Sequence, residues 1–219
     1  RNYASTAVAE HVFTLILNLA KKIKGLEGDI DKYIWQERKV FALLSHEIFE
    51  LKGKTIGIIG KGSIGRKVAK IAKAFEMNVL YHSVRNKNLS KIIRFLKKLD
   101  ILTIHCPLTT STNNLIRSKE LNILKKTAII INTARGGIVN EDDLVKAIKN
   151  GTISGAGIDV TTKEPPSKSH PYYSILKHPN FIWTPHTAWA SNETLQEAIN
   201  QLIDNVNSFY SGKLINIVK

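Results

Sequence analysis

The chain has 219 residues, 43% of them hydrophobic, enough for one large domain with a packed core and some additional elements. Its 32 basic and 18 acidic residues leave a formal net charge of +14, but the lysines are spread along helix-like segments without interleaved aromatics, so a nucleic-acid partner is not expected. A long uncharged apolar stretch and a leader-like pattern are both missing, which excludes a membrane span and argues against secretion, and the single cysteine, Cys106, fits a cytoplasmic location.

The chain opens on Arg1 rather than Met and enters a helical pattern almost at once, so it reads as a piece of something longer. Val8, Val12, Leu15, Ile16, Leu19 and Ile23 recur at helical spacing and predict a leading helix over about 6–24, with Ser5 or Thr6 as its cap. Its apolar face needs cover from the body or from another subunit. Residues 25–50 mix Trp35 and Phe41 with polar residues and read as irregular chain or short helix. From Lys54 the pattern becomes rhythmic. Apolar runs at 55–60, 79–82, 101–105, 128–132, 156–160 and 181–184 alternate, for the most part, with helical segments, and a last helix covers about 192–210. Continuous apolar strands separated by helices indicate a parallel sheet covered on both faces. The expected fold is therefore α/β, a doubly wound parallel sheet of the Rossmann dinucleotide-binding type, over residues 1–190, with a separate C-terminal helix over 191–219.

The first strand runs into Gly60-Lys-Gly62-Ser-Ile-Gly65, which opens a helix. In that context the triplet is a dinucleotide fingerprint: Gly60 for the tight turn, Gly62 for close approach of a pyrophosphate, Gly65 for helix–strand packing. The helix amino end at Ser63 and Ile64 would face the phosphates. The acid that would hold a ribose 2′-hydroxyl is missing. The chain there reads His82-Ser83-Val84-Arg85, and Ser83, Arg85 and Lys87 could instead meet a 2′-phosphate. The cofactor is accordingly NAD or NADP, with NADP tolerated or preferred; the two basic residues also admit reading as solvated loop charges.

Arg135, Glu164 and His186 each sit in the loop just past an apolar run. Open α/β sheets place their ligand chemistry at the carboxyl ends of their strands, so a cation, a carboxylate and an imidazole would converge there. Singly, each has an ordinary explanation as a surface charge, a strand terminator or a buried histidine. Their shared position shifts the reading toward a proton-transfer site. Cys106, beside Pro107, reads as a packed residue and not a nucleophile. The histidines and acids show no metal-ligand spacing, so no metal is expected.

Taken in order, GKGSIG, HCPLTTST, INTARGGIVNEDDLVKAI, GAGIDVTTKEPP and TPHTAWAS resemble the D-isomer-specific 2-hydroxyacid dehydrogenases over nearly the whole chain. The TAWAS ending is most similar to the glycerate dehydrogenase/hydroxypyruvate reductase branch. The resemblance implies hydride transfer between NAD(P)H and a small 2-oxo or 2-hydroxy acid such as hydroxypyruvate, D-glycerate or glyoxylate. It implies that Arg135 binds the substrate carboxylate, that His186 exchanges the proton, and that Glu164 orients His186 and favours its protonated form. It also places Ser63 and Ile64 at the pyrophosphate, Pro107 on the adenine side, Thr133 near the ribose and nicotinamide, and Asp159 at the carboxamide, with Cys106, Thr112 and Ala134 among the other cofactor-binding residues. Such proteins are homodimers through the nucleotide domain. Most of the family's substrate domain has no counterpart in the 219 residues, so little turnover is expected from this chain alone. An alternative is a non-catalytic NAD(H)-sensing, dimeric interaction protein of the same fold.

Overall fold

The computed structural model describes residues 3–84 and 89–217. The chain begins with three helices, α1 (Ser5–Lys21), α2 (Ile23–Asp31) and α3 (Ile34–Arg38). Strand β1 (Thr55–Ile59), helix α4 (Ser63–Ala74), strand β2 (Asn78–His82), helix α5 (Leu89–Leu96) and strand β3 (Ile101–Ile104) follow. Then come α6 (Ser118–Leu121), β4 (Ile129–Asn132), α7 (Glu141–Lys149), β5 (Gly155–Ile158), a 3-10 turn (Pro171–Ile175), β6 (Phe181–Trp183) and α8 (Asn192–Tyr210).

All six strands pair in parallel in the order β2-β1-β3-β4-β5-β6. Every residue of β3, β4 and β5 is buried, which is why these strands are apolar without alternation. One face carries α1 and α4 over a core that includes Val12, Leu15, Ile16, Ile56, Ile58 and Val68. The other packs Leu96, Leu102, Ile104, Leu144 and Ile148 beneath the helices of the second half. From β1 the chain runs outward to β2, then crosses back to β3 and continues to β6. The order reverses between β1 and β3, and a ligand crevice opens outside their carboxyl ends.

The leading helix departs from expectation in two ways. It ends at Lys21, because Lys22 adopts a left-handed conformation (φ 56°) and closes the helix with its N–H on Asn18 O. The Lys22 ammonium is drawn down to Asn180 Oδ1 at 3.0 Å and Ser154 Oγ at 3.4 Å, while Ile23, which continued the apolar pattern, is 40% exposed. The N-cap is Ala4, with no side-chain cap; Thr6 instead accepts from Lys67 Nζ. By contrast, Ser191 caps α8 by accepting from Thr194 N. That helix presents Leu202, Ile203, Val206 and Phe209 to solvent, as the segment after α3 does with Phe41 and Leu44. Among the described residues, no helix is long and apolar enough to cross a membrane.

Candidate active site

The glycine turn sits at the point where the strand order reverses. Gly60 holds φ +102°, and a Cβ there would meet His105 O of the neighbouring β3 end at 2.4 Å. A Cβ on Gly65 would come within 2.2 Å of Gly60 O, so α4 can start against β1 only without a side chain. Around Gly62 a Cβ would meet nothing within 4 Å; the backbone faces open space. Gly62 is the N-cap of α4, and the first turn contains no acidic residue. A twelve-residue helix with this amino end is a ready anion site. The residues thus fit a dinucleotide pyrophosphate: open backbone, helix amino end and no competing carboxylate.

Facing that turn is a cavity of 720 Å³ whose lining includes Ser63, Ile64, Cys106, Pro107, Thr133, Ala134, Arg135, Asp159 and His186. Its size is in the usual range for a small-molecule or cofactor site. Arg135 is exposed on the rim, where its guanidinium donates from Nη1 to Ala134 O at 2.6 Å. It is carried by a loop that Asn132 braces, with Nδ2 donating to Arg135 O and Oδ1 accepting from Ala134 N.

His186 and Glu164 form a pair, Nδ1 to Oε2 at 2.6 Å, each side chain 36% exposed. They meet because β5 and β6 are adjacent and parallel, so the loops leaving both strands emerge side by side. His186 has φ 56°, a left-handed conformation that a non-glycine residue adopts only when its surroundings insist. The surroundings are Asp159. Its backbone carbonyl accepts from His186 N at 2.8 Å, and its carboxylate accepts from Thr184 Oγ1, Thr187 N and Ala188 N. This buried acid, which also lines the cavity, therefore shapes the histidine loop, and of a carboxylate's roughly four acceptor directions about one is left over. His11 of α1 joins the cluster through Thr184 Oγ1 at 3.0 Å. Burial lowers the His11 pKa, partly opposed by the Asp159 charge.

The remaining anticipated residues divide. Ser83 is exposed just past the end of β2, beside His82, whose ring is buried against Phe95 and whose pKa burial lowers. Arg85 and Lys87 lie outside the described residues. Thr112 is buried and does not line the cavity. Its hydroxyl accepts from Thr109 N and donates to Pro107 O, which ties up the loop that presents Pro107. Cys106 is buried, and burial pushes its thiol up to about 11, leaving it a neutral packing group at ordinary pH. Glu164 lines not this cavity but a second, mainly apolar one of 470 Å³, which shares Asp159 and His186 with the first. Sequence reasoning missed His105, which also lines the main cavity. Its Nε2 meets Thr103 Oγ1 at 2.9 Å, and burial lowers its pKa to about 4.

Fold and site together define a dinucleotide-binding oxidoreductase domain with a carboxylate–imidazole pair at its cofactor crevice. The family described as "D-isomer specific 2-hydroxyacid dehydrogenase, NAD binding domain" matches residues 13–188. The glycerate dehydrogenase of Methylorubrum extorquens is 42% identical over 220 residues, covering all of this chain and 70% of that protein. Among solved structures, a D-lactate dehydrogenase with NAD+ from Lactobacillus jensenii superposes with a TM-score of 0.86 at 29% identity, covering 99% of this chain and 69% of that one. A probable 2-hydroxyacid dehydrogenase of Rhizobium etli in complex with NADP gives 0.78 at 26% identity, covering all of this chain and 69% of that one. The chain belongs to the D-isomer-specific 2-hydroxyacid dehydrogenases. The kinship does not favour a non-catalytic scaffold.

Proposed function

We propose that the chain is the nucleotide-binding and catalytic part of an NAD(P)-dependent dehydrogenase that interconverts small 2-oxo and 2-hydroxy acids, with hydroxypyruvate/D-glycerate and glyoxylate as the candidate substrates. The observation that carries this reading is the Glu164–His186 pair at 2.6 Å, whose imidazole lines the cavity shared with Arg135 and the α4 amino end. Bound NAD(P)H supplies the hydride in reduction and its oxidised form accepts it in the reverse direction. Arg135 binds the substrate carboxylate and polarises the 2-oxo group with its planar donor fork. With Nδ1 committed to Glu164, His186 keeps Nε2 for the substrate oxygen: it donates the proton in reduction and takes it back in oxidation. Asp159 fixes the backbone on which that imidazole stands and retains acceptor capacity for the cofactor's carboxamide.

Because no acid follows β2 in sequence, a 2′-phosphate meets no carboxylate there, so NADP is accepted alongside NAD or preferred. The exposed apolar side chains of the segment after α3 suit contact with a second copy, giving a homodimer through this domain in the cytoplasm. The curated glycerate dehydrogenase has further length that this chain does not match, and α8 would pack against a substrate-side domain built from it. The 219 residues alone then bind NAD(P)H but turn over slowly. Measuring NADH and NADPH oxidation with hydroxypyruvate and glyoxylate tests the reading, with the full-length gene product beside the 219-residue chain. Absence of turnover by the full-length protein with either acid would sink it.

A further inference from the structure

Glu141 opens α7 behind the Asn140 cap, yet its carboxylate turns away from its own helix. Oε1 accepts from Thr162 N at 2.7 Å, and Oε2 meets His170 Nε2 at 2.9 Å. The two side chains are 15% and 8% exposed, so water scarcely competes. His170 Nδ1 accepts from Tyr172 N, so its proton sits on Nε2 and is donated to Glu141. One residue earlier, Thr161 N donates to Glu164 Oε1 at 2.9 Å. Two consecutive amides are thus each bound by a different carboxylate, and the second carboxylate is the one that reaches His186.

The peptide that carries Thr162 N has a second close neighbour. A Cβ on Gly136 would lie 2.0 Å from Thr161 C and 2.3 Å from Thr162 N, so the glycine following Arg135 presses directly on it. The Thr161–Thr162 peptide therefore bears the Arg135 loop, and the amide just before it, Thr161 N, holds the Glu164 turn. Glu141 is the side chain that pins that peptide to a helix packed in the core.

Building on the dehydrogenase reading, we propose that Glu141 is a positioning residue: by holding the Thr162 amide, it sets Glu164 against His186 Nδ1 and fixes the height of the Arg135 loop. It touches neither substrate nor cofactor. Its effect passes through the orientation of the imidazole, where small displacements are costly to rate.

The informative substitutions in the full-length protein are E141D and E141Q. Asp keeps a negative charge at the helix start, where the helix dipole favours it, but falls short of Thr162 by one methylene. Gln keeps the reach and one acceptor, for Thr162 N, but its amide NH₂ faces the His170 Nε2 proton, donor against donor. E141D should lower kcat on the order of 10–100-fold, as displaced catalytic groups do, with KM for NAD(P)H little changed and a lowered melting temperature, because Thr162 N and His170 Nε2 lose a buried acceptor. E141Q, which keeps the Thr162 bond, should retain more of the rate than E141D although the donor–donor contact at His170 lowers its melting temperature. Imidazole ¹⁵N NMR supplies a readout independent of turnover. Neutral His186 should carry its proton on Nδ1 in the wild type and drift toward the ordinary mixture in E141D, as it would in E164A. Unchanged His186 signals with wild-type kcat in E141D would overturn the proposal. So would equal losses of rate and melting temperature in both variants, which would mark Glu141 as merely structural. Failure of the dehydrogenase reading would show separately, as a wild type without turnover.

Discussion

The two edges of this sheet use polar residues in opposite ways. At the amino edge they satisfy one another: Lys22 donates to Asn180 and Ser154, and Asp100 accepts from Thr55 N and Lys125 Nζ, so the helices and strand starts are clasped together. At the carboxyl edge the bonds stop one atom short. Asp159 and Glu164 spend their acceptors on orienting the loops, while the Arg135 guanidinium and His186 Nε2 are left facing the cavity. A closed network contributes stability, and an open one offers chemistry. One sheet therefore separates the two tasks by its two ends.

The separation can be broken or sharpened by substitution. The largest expected effect is H186N in the full-length enzyme, which should lower kcat/KM on the order of 10²–10⁴-fold. Asn tolerates the left-handed backbone at this position, so the unfolding free energy should stay within about 0.5 kcal/mol of wild type. A marked loss of stability would mean that the site edge also holds the fold together.

His105 is the informative exception, a carboxyl-edge residue whose expected signature is in stability. Burial holds its folded pKa at about 4, below the 6.5 of an unfolded histidine. Between those values the unfolded chain binds a proton that the folded chain refuses, so stability falls as pH drops from 6.5 and the loss is complete near 4. The full difference is about 3 kcal/mol. His11, His82 and His178 are lowered by burial too and steepen the same acid limb. Urea unfolding across that window should therefore show a shallower pH slope for H105Q than for wild type; identical slopes would remove His105 as a cause.

At the amino edge, K22M leaves Asn180 Oδ1 and Ser154 Oγ without their ammonium and should cost about 1–3 kcal/mol. The kcat of the full-length protein should not move, and a change in kcat would show that the two edges are coupled. The smallest effect belongs to α8: L202A, at a side chain 62% exposed, should alter the unfolding of the 219-residue chain by no more than about 0.5 kcal/mol. A loss of several kcal/mol would show that α8 is already packed.

Much of this was legible in the sequence because it is written locally. Buried strands need uninterrupted apolar residues, and Gly60, Gly62 and Gly65 record a turn, an approach and a close packing within six positions. That Arg135, Glu164 and His186 share one edge followed from the strand-end rule alone. What stayed hidden depends on partners far apart in the chain. Lys22 breaks the helical pattern for partners more than 130 residues away. Asp159 acts on a loop some 28 residues later, and Glu141 on an amide 21 residues later. Periodicity cannot register such links. An acid directly after a buried strand, or one whose helix cap is already supplied by its neighbour, is the only faint local trace of such a link.

The bare face of α8 has a consequence in a different register. With a formal net charge of +14, these molecules repel one another in dilute buffer, but ions at about 0.1 M confine that repulsion to roughly 10 Å. The stripe of Leu202, Ile203, Val206 and Phe209 then decides what happens on close encounter. Salt, which loosens assemblies held by ion pairs, would here draw the isolated chains together, so the handling of this polypeptide in solution is governed by a helix remote from its chemistry.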